Sequence, residues 1–151
     1  LELKDIIGGT SPFAEMLGIA VTQFETGESR CELAIEPFMR NMHRSVHGGV
    51  IYSLADVGMG VALHARLARL RETCATIELK INYLKPARGD RLSCRARVLQ
   101  QGKSIAVVEA DIGDGDALVA KALGTFTVFS ARGQGGGVDR KVFSGGGGQK
   151  S

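Results

Sequence analysis

His47-Gly48-Gly49-Val50-Ile51-Tyr52-Ser53-Leu54-Ala55-Asp56-Val57-Gly58-Met59-Gly60-Val61-Ala62-Leu63 is the stretch that decides how this chain folds. Val46, Val50, Leu54, Val57, Val61 and Ala65 recur at three- and four-residue spacing, the period of a helix, and predict one over about Val46 to Leu70. Apolar residues run round nearly its whole circumference, which assigns it to the centre of the fold. Gly48, Gly49, Gly58 and Gly60 each weaken it by about 1 kcal/mol relative to alanine, so close packing is expected where they stand. Between Val50 and Leu63 only Tyr52 and Asp56 can ionise. A carboxylate on an apolar helix is costly to bury charged and alone; it is paired, or it works.

On the N-terminal side, Ser11-Pro12 to Leu17 reads as a short helix with Ser11 as cap and proline in the first turn. Ile19 to Phe24 and Ser29 to Ile35 read as strands joined in a hairpin at Thr26-Gly27, with Pro37 closing the segment. On the C-terminal side, Thr76 to Tyr83 alternates, with Ile77, Leu79, Ile81 and Tyr83 on one face and Glu78, Lys80 and Asn82 on the other. Pro86 and Gly89-Asp90 predict a turn. Strands follow at Leu92 to Leu99, Ser104 to Ile112 and Leu118 to Phe129, joined by Gln101-Gly102-Lys103 and Gly113-Asp114-Gly115-Asp116. The expected order is helix, two strands, one buried helix and a four-stranded antiparallel meander. One sheet wrapped around the central helix buries it most simply.

At 151 residues the chain fits one domain, expected over 1–130. Residues 131–151 hold eight glycines and little apolar pattern and read as a disordered tail. Its end, Gly145 to Ser151, imitates a phosphate loop but lacks a glycine before the lysine and a helix after it. The net charge of +3 resides in that tail, leaving the rest neutral and without the basic footprint of a nucleic-acid binder. Arg66, Arg69 and Arg71 close the apolar run, so no stretch is expected to reach membrane-spanning length. The chain opens on Leu1 rather than methionine, as expected of a start that was processed or lies elsewhere. No charged segment precedes an apolar one, so no signal peptide is expected. Cys31, Cys74 and Cys94 are odd in number and lack CxxC spacing, which reads as reduced thiols in a cytoplasmic protein.

The first turn of a helix has N–H groups without intrahelical partners and a positive dipole end. Glycine there clears the way for a ligand oxygen, and Gly48 N–H is the candidate donor to an acyl oxygen gaining charge. The alternative is that the glycines only admit the helix against the sheet. Asp56 is the candidate base or nucleophile, or else a carboxylate paired at a subunit seam. Eight residues separate Gly48 from Asp56, roughly 12 Å along a helix. One chain therefore cannot bring both to one carbonyl; an antiparallel copy related by a two-fold axis can. His43 and His47 stand four apart without a suitably spaced third ligand, so no metal is expected. His64 reads as a satisfied or solvent-facing residue. The nucleophile elbow, HExxH and dinucleotide motifs are missing from the sequence.

Asn41-x5-His47-Gly48-Gly49-x6-Asp56, followed by Ile81-Asn82-Tyr83-Leu84-Lys85-Pro86-Ala87 and Gln101-Gly102-Lys103-Ser104, resembles the hotdog-fold acyl-CoA thioesterases of the phenylacetic-acid-degradation branch. The resemblance spans roughly residues 12–130. It implies an α+β hotdog fold, with an antiparallel sheet wrapped around a long central helix. It also implies a homodimer whose sheets join side by side, often paired into a tetramer. Asp56 would be base or nucleophile, and Gly48 N–H would polarise the thioester carbonyl across the interface. His47 would sit near the sulfur or orient the loop, and Asn41 would hold the water or the leaving group. Thr76 would orient the lytic water, while Lys85, Arg88 and Lys103 would meet the phosphates of coenzyme A. No cofactor is implied beyond the coenzyme A of the substrate. A non-catalytic acyl-CoA binder would share the groove without needing the base; hotdog hydratases carry different acid and histidine spacings. Members often have glycine where Arg44 stands, and a positive φ would resist arginine, so the Asn41 loop is expected to differ.

Overall fold

The computed structural model describes residues 11–131. Helix α1 (Pro12–Leu17) leads into strands β1 (Ile19–Glu25) and β2 (Glu28–Ala34); a 3-10 turn (Pro37–Met39) precedes helix α2 (Gly48–Leu67). A second 3-10 turn (Ala68–Leu70) follows, then β3 (Glu72–Tyr83), β4 (Arg91–Gln101), β5 (Ile105–Asp114) and β6 (Ala117–Ser130). The Ser11 hydroxyl caps α1 by accepting from Ala14 N–H. The tail expected from residue 131 lies, from 132 onward, outside the described residues.

All six strands pair antiparallel in the order β1-β2-β4-β5-β6-β3. The last four strands do not form the expected simple meander: β4, β5 and β6 do, but β3 pairs with β6 at the edge. Residues 84–90 are a crossover rather than a tight turn. Val46 N–H donates to Ala87 O and Ile35 N–H to Asp90 O, so this segment is held across the start of α2 and delivers β4 beside β2.

Helix α2 lies against one face of the sheet. Leu54, Met59, Leu63 and Leu67 are fully buried in one cluster with Leu33, Leu92, Ile112 and Phe126, each leucine contributing roughly 1.5–3 kcal/mol. Gly58 marks a close approach, since a Cβ there would stand 2.6 Å from Cys94 Sγ, and the buried Ser29 hydroxyl donates to its carbonyl at 2.7 Å. The helix is not buried all round within one chain. Gly49, Tyr52, Ser53, Asp56 and Gly60 form a partly open stripe beside β3. Gly48–Leu70 does have the length and mean hydropathy, 1.2, of a membrane span, contrary to expectation; half of that window is buried against the sheet, as a core helix requires.

Strand β3 departs from strict alternation. Thr76 pairs with Phe126 and Glu78 with Thr125, leaving Ile77 as an extra, bulged residue. Ile77, expected in the core, is therefore 55% exposed. The bulge also turns Thr76 onto the helix side, whereas unbroken alternation would put it with Glu78, Lys80 and Asn82.

Candidate active site

The start of α2 leaves one donor open. His47 is the N-cap, and its Nδ1 accepts from Gly49 N–H at 2.9 Å. Val50 and Ile51 N–H both turn back to His47 O. Gly48 N–H has no partner among the described residues. The Tyr83 hydroxyl, from the end of β3, donates to Gly48 O at 2.8 Å. Its ring would lie 3.2 Å from a Cβ at position 48, so this close approach admits only glycine without displacement. Burial, and then the neighbouring Tyr52, push the Tyr83 phenol above its ordinary value, which keeps it a protonated donor.

The preceding loop holds itself together. Asn41 Oδ1 accepts from His43 N–H at 2.9 Å and from the Ser45 hydroxyl at 3.1 Å, and its Nδ2 is 3.0 Å from Ser45 Oγ. Both ends of the Asn41 amide thus face the turn it closes. Arg44 takes φ 63°; the loop keeps left-handed backbone despite the arginine, contrary to expectation. Such a conformation costs about 1–2 kcal/mol for an L-residue. The Arg40 guanidinium helps hold it, donating to the carbonyls of Arg44, Arg88 and Gly89. The Arg88 guanidinium reaches His43 O at 3.1 Å.

Asp56 stands two turns into α2, partly exposed, with the Thr76 hydroxyl donating to Oδ1 at 2.8 Å. It has no ion-pair partner among the described residues. One turn before it, the Tyr52 hydroxyl donates to Leu79 O at 3.2 Å. Two turns after it, His64 lies 2.8 Å from Gly60 O and 3.1 Å from Thr73 Oγ1, with Cys74 Sγ at 3.4 Å. His64 is thus satisfied, as expected. Burial, and then Asp56, push the Cys74 thiol up to about 12. It is a protonated, unreactive thiol at neutral pH.

A groove of about 350 Å³ opens beside Gly48, lined by Asn41, Ser45, Ile51, Tyr83, Leu84, Lys85 and Pro86 among others. A concavity of about 470 Å³ on the opposite face of the sheet, around Arg30, Arg95, Arg97, Glu109 and Asp111, shares none of these residues. Lys85 and Arg88 flank the Gly48 groove through the crossover. Lys103 does not join them: Lys85 N–H bonds to Val119 O, while Ser104 O accepts from Val128 N–H. Val119 and Val128 lie nine positions apart along β6, roughly 30 Å. Lys103 belongs to the end of the sheet where Thr76 meets Asp56. No group of three or more metal-ligating side chains occurs among the described residues.

Helix α2, which carries both the open donor and the carboxylate, belongs to a chain with relatives among known proteins. A family model of the thioesterase superfamily matches residues 43–121, from His43 through the end of the groove and past Tyr83. The chain belongs to the thioesterase superfamily. As a member of that superfamily it has the hotdog fold. It is 33% identical over 101 residues to the acyl-coenzyme A thioesterase PaaI of Escherichia coli, covering 66% of this chain and 69% of PaaI. It is 30% identical over 136 residues to the medium/long-chain acyl-CoA thioesterase YigI of Salmonella typhimurium, covering 78% and 85%. Among solved structures, a conserved protein of Pseudomonas aeruginosa superposes with a TM-score of 0.77 at 33% identity, covering 83% of this chain and 98% of that one.

Two features of this thioesterase-superfamily site escape the sequence reading. The Tyr83 contact with Gly48 was hidden because Tyr83 fits a core-facing strand position. The available signal was an aromatic with a polar tip, which seeks a partner when packed, next to the crossover that leads back to the glycines. The bulge at Ile77 left no signal, because β-branched residues suit either face.

Proposed function

We propose that this chain is a thioester hydrolase that cleaves acyl-CoA to the free acid and coenzyme A, without a further cofactor, in the cytoplasm. One observation carries the reading. Gly48 N–H, the only first-turn donor of α2 without a partner among the described residues, and Asp56, the only carboxylate on that helix, lie on one rod about 12 Å apart. They complete one another in a two-fold dimer, where Gly48 of one protomer meets Asp56 of its partner. The outer edge of β3, which pairs with no other strand among the described residues, suits such pairing, since a twelve-residue edge is a ready template for a second strand. Tyr52 is midway between Gly48 and Asp56, and Leu79 is near the middle of β3. Their hydrogen bond marks where the axis would pass. The same rotation would carry Lys103 of one protomer toward Lys85 and Arg88 of the other, assembling a cationic end for the nucleotide phosphates.

In this site the thioester oxygen accepts from Gly48 N–H and gains charge as the carbonyl carbon is attacked. Thr76 holds Oδ1 of Asp56, leaving Oδ2 to take a proton from water or to attack directly. The C–S bond then breaks; in the water route, the proton held by Asp56 passes to the departing thiolate. In the direct route the thiolate takes a proton from solvent while water hydrolyses the acyl–aspartyl anhydride, releasing the acid and restoring the carboxylate. His47 orients the first turn through Gly49, and Asn41 shapes the loop that presents it. A panel of aromatic and aliphatic acyl-CoA substrates with thiol detection tests the reading and reports chain preference. Asp56→Ala should lower kcat at least roughly a hundredfold with folding and assembly intact. Turnover unchanged in that variant, or binding of acyl-CoA without thiol release by the wild type, would overturn it.

A further inference from the structure

The peptide linking Gly48 to Gly49 is held at both polar ends by side chains from outside the helix. Its carbonyl accepts from the Tyr83 hydroxyl at 2.8 Å. Its N–H donates to His47 Nδ1 at 2.9 Å. The preceding peptide is held at one end only: His47 O accepts from Val50 and Ile51 N–H, while Gly48 N–H has no partner among the described residues. Two adjacent glycines are the residues least able to hold a first turn by themselves, because each can visit more of φ/ψ space than any other residue. An oxyanion donor works through preorganisation, aimed before charge develops. The sequence therefore places at its donor the backbone least suited to aiming it, and the fold supplies the missing restraint from β3. Ring and hydroxyl act on the same residue: the ring packs 3.2 Å from where a Cβ at position 48 would stand, and the hydroxyl fixes the Gly48 carbonyl.

We propose that Tyr83 is a positioning residue for thioester hydrolysis, clamping the Gly48–Gly49 peptide so that Gly48 N–H stays aimed at the thioester oxygen. This rests on the hydrolase reading above. Tyr83 stays in the Gly48 groove but acts through the backbone, so its hydroxyl matters to the transition state more than to ground-state binding.

Tyr83→Phe removes the hydroxyl and keeps the ring. Removing an oxyanion donor outright costs about 10²–10³ in kcat; loosening one should cost less. Tyr83→Phe is expected to lower kcat roughly tenfold with KM within about twofold of wild type. Tm and oligomeric state should be unchanged, and amide exchange should quicken at Gly49 but not in the body of α2. Tyr83→Leu should lose at least as much kcat. Wild-type kcat in Tyr83→Phe with a loss only in Tyr83→Leu would assign the effect to ring packing and overturn the proposal. An increase in KM alone would overturn it as well, placing Tyr83 in substrate binding. Absence of thiol release by the wild type across the substrate panel would overturn the hydrolase reading and this proposal together, a result distinct from failure of the tyrosine variants alone.

Discussion

The Thr76 hydroxyl reaches Asp56 Oδ1 at 2.8 Å only because β3 carries one residue more than β6 between Thr76 and Glu78. Without the bulged Ile77, Thr76 would face away from α2 and leave the carboxylate without its only hydrogen-bond donor among the described residues. Thr76→Val keeps the shape and removes the donor. It is expected to lower kcat about tenfold while Thr76→Ser stays near wild type, a neutral hydrogen bond to a charged group being worth roughly 1.5–3 kcal/mol. Deletion of Ile77 should be the more damaging change, since it reverses the face of every β3 residue on one side of the bulge. Steady-state kinetics on the three variants tests the relationship.

How much of this was legible in the residues depends on how local the determining physics is. The helix period, the Ser11 cap, the hairpin at Thr26-Gly27 and the glycines at the start of α2 are short-range signals, and each appears near its expected place. The position of β3 beside β6 is set by the route of residues 84–90 over the helix start, a contact between distant segments that no local pattern encodes. Lys103 failed to join Lys85 and Arg88 for the same reason: proximity in the sheet is decided by strand order. Arg44 shows the opposite case. Its residue type argued against φ above zero, but Arg40, reaching Arg44, Arg88 and Gly89 carbonyls, holds the loop regardless.

If each site is divided between two protomers, two dead variants should repair one another. Asp56→Ala loses the carboxylate, and Gly48→Val drives a side chain into the Tyr83 ring. In a mixed dimer, the intact Gly48 of one chain faces the intact Asp56 of the other. Random pairing at equal amounts makes half the dimers mixed, each with one complete site, so activity should recover to about a quarter of wild type. Differently tagged chains, co-expressed, give that measurement before fractionation; purification through both tags isolates the mixed dimer, which should carry about half of wild-type activity. Recovery no greater than the sum of the parents would place the whole site within one chain.

Stability at position 44 offers a test of the strained loop. Arg44→Gly relieves about 1–2 kcal/mol of left-handed strain, while the freer unfolded chain returns about 0.4–1 kcal/mol. The net expectation is a gain of roughly 0.5–1 kcal/mol, read as a higher urea midpoint at constant slope. The Arg40 contact accepts at the backbone carbonyl, so it survives the substitution.

Gly58→Ala should move the other way. Helix propensity favours alanine by about 1 kcal/mol, but the added methyl would stand 2.6 Å from Cys94 Sγ and 3.8 Å from Ala96 Cβ. Overpacking a filled core costs typically about 1–3 kcal/mol, and the Ser29 bond to the Gly58 carbonyl resists a shift of the helix. A net loss is expected, and Cys94→Ala in the same chain should return part of it by removing the sulfur that collides. Denaturant titration of the single and double variants separates the collision from any general effect on the helix.

The thiols give stability an alkaline limit. Burial, opposed by a hydrogen bond from Ser29, raises Cys31 from the ordinary 9.0 to about 11. Burial and then Asp56 raise Cys74 to about 12, and burial, then Cys31 and Asp111, raises Cys94 further. Above the unfolded value the unfolded chain releases thiol protons that the folded chain retains, so unfolding becomes easier as pH rises. The stabilising contribution is complete below pH 9 and is lost progressively as pH climbs toward 11 and 12. Two readouts should agree: a urea midpoint that falls between pH 8.5 and 10.5, and Cys31 and Cys94 that resist alkylation at pH 8 until the protein is denatured. Replacing Cys94 by alanine should flatten that fall, because the substituted side chain has no proton to release.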